Sequence, residues 1–77
     1  MMPVFYRVAV LRAGAQTSTK SCPTREGAEA EFANAVRRAT RLAIVRRVPY
    51  RVELWRGETL LEHADAPAGV IVPQPRA

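Results

Sequence analysis

Cysteine and histidine are almost missing from this sequence, where Cys22 and His63 are the only examples. A lone cysteine excludes a disulfide within the chain and any cysteine cage for a metal, and one histidine adds at most one further ligand. No metal and no cofactor are therefore expected. Aromatic side chains are scarce too, with two Phe, two Tyr and one Trp, which leaves little to stack several nucleic-acid bases on. Long apolar runs are also lacking. The stretch that opens the chain is broken at Arg7 and has no basic segment before it, so neither a signal peptide nor a membrane span is expected. A cytoplasmic protein with a reduced Cys22 is the resulting expectation.

The 77 residues suffice for one domain. A chain of this size buries only about 60% of the surface its unfolded form exposes. With disulfides and metals excluded, association with another subunit is the remaining way to enlarge the core. The formal net charge is +5, which suits an acidic partner such as nucleic acid. Eleven of the twelve basic residues are arginine, and alanine is the commonest residue at thirteen. A GC-rich coding sequence yields that pairing whatever the protein binds.

Val4 to Arg12 is β-branched and aromatic without Gly or Pro, and reads as a strand with Val4, Tyr6, Val8 and Val10 on one face. Ala13 to Pro23 is small and polar and reads as an exposed loop. Thr24 then offers a helix N-cap, with Glu26 in the first turn and Gly27 where a capping-box Glu would stand. Apolar residues at 28, 32, 35, 36, 39, 42 and 43 trace a stripe of roughly 120° on a helix, the core face of an amphipathic element. Pro49 forbids continuation, so the helix should end between Leu42 and Arg47. Residues 50–55 alternate, with Val52 and Leu54 inward and Arg51, Glu53 and Trp55 outward. A turn at 56–58 returns the chain as a strand over 59–63, with Arg51 expected to pair with Glu62 or Glu58.

The expected fold is therefore α+β: a two-layer β-α-β-β unit with one amphipathic helix on a small, mainly antiparallel three-stranded sheet. It occupies residues 1–66. Residues 67–77 are expected to form a Pro-rich tail, with Val70–Val72 able to add a short edge strand.

Chemistry-bearing motifs are few. Gly14 to Ser21 resembles the phosphate-cradling loop Gly-x-x-x-x-Gly-Lys-Ser, but Thr19 stands where the second glycine lets the backbone curl around phosphate. Cys22 beside a helix start could be activated, yet nothing brings a base to it. No catalysis is expected.

Two surfaces remain. The sheet face away from the helix gathers Phe5, Arg7, Arg51 and Trp55, a composition enriched at protein interfaces, and a homodimer or a larger partner protein is expected there. Alternatively, Arg37, Arg38, Arg41, Arg46 and Arg47 form a positive helix face for a phosphate backbone. The expected role is a small binding or regulatory module.

Overall fold

A computed structural model describes residues 5–69. Strands β1 (Tyr6–Arg12) and β2 (Ala15–Cys22) form a hairpin, followed by helix α1 (Arg25–Arg46) and a second hairpin, β3 (Tyr50–Arg56) and β4 (Thr59–Ala66). The four strands make one sheet in the order β2-β1-β3-β4, antiparallel at every step. The fold is α+β with a single helix, as expected, but the unit is β-β-α-β-β on four strands rather than β-α-β-β on three.

The added strand is the segment expected to be a loop. In β2 only Cys22 is buried. An edge strand with both faces largely in water needs no apolar alternation, because its pairing with β1 satisfies the backbone whatever the side chains are. The hairpin turns at Ala13 and Gly14, both at positive φ (50° and 84°), the geometry whose twist matches that of the paired strands. The Ala13 amide donates to the Pro49 carbonyl at 2.8 Å and ties this turn to the α1–β3 connection. Gly14 to Ser21 thus runs through a turn into a paired strand, not through a loop that opens a helix around phosphate.

Thr24 caps α1: its backbone is extended, and its hydroxyl accepts from the Gly27 amide at 3.1 Å. The far end closes at Arg47 in the left-handed conformation (φ 56°). Beyond β4, the Gly69 amide donates to the Ala43 carbonyl at 2.9 Å and so ties the chain after the last strand to the last turn of the helix. The tail strand expected at Val70–Val72 lies outside the described residues.

The core lies between α1 and one face of the sheet. The helix contributes Ala28, Ala35, Ala39 and Ala43 with Phe32, and the sheet contributes Val8, Tyr50, Val52, Leu54 and Ala66. Four alanines let the helix sit close to the strands. Val36 and Leu42, from the same expected stripe, pack at its margins. Cys22, expected in an exposed loop, is 6% exposed within this core.

Candidate functional site: the open sheet face

Because neighbouring residues on a strand point to opposite faces and paired residues share one, the register fixes what lies opposite the helix. Arg7 pairs with Trp55, Ala9 with Glu53 and Leu11 with Arg51. Across the second hairpin, Arg51 pairs with Asp65, Glu53 with His63 and Trp55 with Leu60. All these side chains share the uncovered face. Leu60 belongs to it through its pairing with Trp55, and Leu61 is the extra residue of a bulge opposite the Leu54–Trp55 step.

The polar groups of this face are joined in a continuous chain. The Arg7 guanidinium lies 5.2 Å from the centroid of the Trp55 ring, within the range of a cation–π attraction. The Trp55 indole N–H donates to Glu53 Oε1 at 3.2 Å, and Arg51 Nε donates to Glu53 Oε2 at 2.9 Å. Arg51 Nη1 reaches on to Asp65 Oδ1 at 3.3 Å, and His63 Nδ1 stands 3.6 Å from Asp65 Oδ2. The hydrogen bond to Glu53, reinforced by the charge of Asp65, holds the Arg51 guanidinium above its ordinary pKa. Two guanidinium and two carboxylate groups balance, so the chain is neutral while His63 is uncharged.

This network lies over the middle of the sheet. Ala9 is 1% exposed yet does not belong to the helix-side cluster; the side chains of the open face bury it. At one end the surface becomes apolar. Phe5 is 53% exposed and Leu60 36%, and the Phe5 carbonyl accepts from the Gly57 amide at 3.2 Å.

Of the residues expected to bind a partner, Arg7, Arg51 and Trp55 are brought together, while Phe5 stands at the apolar end. Glu53 links them as the node, accepting from both Trp55 and Arg51. Asp65 was missed because the last strand was expected to end at His63, whereas it runs to Ala66. Arg51 accordingly pairs with Asp65 rather than with Glu62 or Glu58. Glu62 lies opposite Leu54, on the other face.

Four of the helix arginines border two separate depressions. Arg37 and Arg41 line a shallow depression with Val36, Thr40 and Ile44, and Arg37 also donates to Asn34. Arg38 and Arg46 flank a separate groove together with Arg12. Arg47 ends the helix. Arg38 also donates to Glu31 at 3.1 Å, and Lys20 approaches the same carboxylate at 3.4 Å. The Arg38 hydrogen bond first, then the Lys20 charge, hold the Glu31 pKa below its ordinary value.

Cys22 and His63 lie on opposite outer strands and face opposite sides of the sheet, so they do not form a nucleophile–base pair. Among the described residues, no three His, Cys, Asp or Glu side chains gather as metal ligands would, and no helix is long and apolar enough to cross a membrane. No protein-family model, curated protein or solved structure matches this chain.

Proposed function

We propose that the protein is a non-enzymatic binding module that docks a second copy of itself through the open sheet face, with Trp55, Arg7, Arg51 and Phe5 as the contact residues. The observation that carries this reading is the ordered chain Arg7–Trp55–Glu53–Arg51–Asp65. Partners of this kind hold their side chains in place before binding, so less rotamer freedom is lost on contact. Its balanced charge suits self-association, because a two-fold axis sets the same patch against itself, arginines meeting carboxylates. Phe5 and Leu60 supply exposed apolar surface beside it. The small core supports the same conclusion: Leu54 and Val52 are its largest fully buried side chains, and a second copy would add to it.

Sedimentation velocity over a dilution series tests this reading. A dimer that dissociates on dilution, with the Trp55 emission moving to longer wavelength in step, is expected. A strict monomer at the highest soluble concentration refutes self-association, and a larger protein then becomes the occupant to seek. Trp55→Ala should abolish the dimer and leave the helical circular dichroism unchanged.

A further inference from the structure

On the helix side, the same molecule carries a second feature of different character. Between α1 and the β1–β2 hairpin lies a groove of about 240 Å³. It exists because both walls are built from short side chains: Ala35 and Ala39 on the helix, Thr17 and Ser18 on the edge strand. A bulge adds to the opening, since Val10 pairs with Ser18 but Leu11 with Gln16, leaving Thr17 extra. Three arginines, Arg12, Arg38 and Arg46, line this groove, and no carboxylate does. Arg12 and Arg46 form no ion pair among the described residues, and Arg38 is steadied by Glu31, which stands outside the groove. Here three arginines from two elements, Arg12 at the end of β1 and Arg38 and Arg46 two turns apart on α1, border one small space.

We infer that this groove binds an organic phosphate, the phosphoryl group held by Arg12, Arg38 and Arg46 and the organic part resting on Ala35, Ala39 and Leu42. Guanidinium groups present N–H donors in a planar fork that matches phosphate oxygens. The Ser18 hydroxyl adds a donor from the opposite wall, whereas Thr17 already donates to the Val10 carbonyl at 3.2 Å. The volume falls just below the range of about 300–1,000 Å³ that encloses drug-sized ligands, so the phosphoryl group and the part attached next to it fit inside, and the remainder of a larger ligand lies beyond the open side of the groove. A free nucleotide and a nucleotide within a single strand offer the same chemistry. The groove lies across the sheet from the open face, so this inference and the dimer proposal stand or fall separately.

The test is titration of the 15N-labelled protein with inorganic phosphate, a nucleoside monophosphate and a short single-stranded oligonucleotide, followed by amide shifts. The monophosphate should move Ser18, Ala39 and Arg46 amides, with inorganic phosphate weaker because it lacks the apolar part. Arg12→Gln and Arg46→Gln should each weaken binding about tenfold or more, as expected for losing a hydrogen bond between charged groups. Arg37→Gln removes the same charge outside the groove and should change affinity less than twofold. Ser18→Glu, on an exposed edge strand, places a carboxylate in the groove and should abolish binding while the melting curve stays cooperative. Oligonucleotide binding with the same dependence on Arg12 and Arg46 would identify a strand as the source of the phosphate; its absence beside monophosphate binding would identify a free ligand. Equal losses in Arg37→Gln and Arg46→Gln mean diffuse charge attraction, and that result, or silence from all three probes, overturns the inference.

Discussion

On the helix side of β3, Tyr50, Val52 and Leu54 are at most 5% exposed; on the other side of the same strand, Arg51, Glu53 and Trp55 are half-buried and hydrogen-bonded. The first side is closed by apolar area taken out of water, a non-directional effect roughly proportional to that area. The second is covered by hydrogen bonds and ion pairs still partly in water, whose net worth is small because solvent competes for the same groups. The same strand therefore carries the stability of the domain on one face and a fixed arrangement of recognition groups on the other. What the open face gains from its network is position more than energy.

The comparison is sharpened by changing one residue at a time, beginning where the effect should be greatest. Leu54 is 1% exposed, and Leu54→Ala should cost about 2–5 kcal/mol in urea unfolding through lost burial and the cavity left behind. For a domain this small, that is enough to leave much of the population unfolded. Ala39 is also 1% exposed, in the close helix–sheet contact. Ala39→Leu should destabilise by about 1–3 kcal/mol, because the helix must move away from the strands to admit the side chain. On the open face, Glu53→Ala removes the acceptor shared by Trp55 and Arg51. The expected loss is about 1 kcal/mol, with a red-shifted Trp55 emission and a weakened dimer. A loss as large as that of Leu54→Ala would break the contrast between the two faces.

The two hairpins differ in how much of them the sequence discloses, for the same physical reason. β3 is central, with one face against a helix, so its apolar residues alternate and Val52 and Leu54 could be assigned inward from their spacing. The helix was equally legible, since Ala28, Phe32, Ala35, Ala39 and Ala43 recur at helical intervals and Thr24 is a good cap. β2 buries almost nothing, so its order comes from backbone pairing that leaves no mark on side-chain pattern. Its trace was the Ala13-Gly14 dipeptide together with the β-branched Thr17 and Thr19. Within the site, the identity of the open-face residues followed from parity in β1 and β3. The partner of Arg51 did not, because it depends on the register and length of β4, and a bulge at Leu61 shifts that register by one residue. The arginine groove was out of reach for a related reason: Arg12 and Arg46 are far apart in the chain and meet only through the tertiary fold.

The smallest effect concerns a surface cluster and tests whether fixed geometry without deep burial contributes measurably. Glu31 accepts from Arg38 and faces Lys20, and its pKa lies below its ordinary value of 4.5 in the folded protein. A carboxyl whose folded pKa is depressed binds its proton more weakly when folded than when unfolded, so acid favours the unfolded chain. Its contribution is complete above the unfolded value and disappears as the pH falls from there through the lower folded value. Glu31→Gln cannot ionise and should flatten this part of the acid limb, with a stability loss near neutral pH of about 0.2–1 kcal/mol. Since the pair faces solvent, added salt should reduce the difference between wild type and variant. Urea midpoints compared near pH 7 and below pH 4, at low and high salt, check both signs. If the variant differs from wild type equally at both pH values, Glu31 acts through packing rather than charge. The cluster would then resemble the helix side of the molecule instead of the open face.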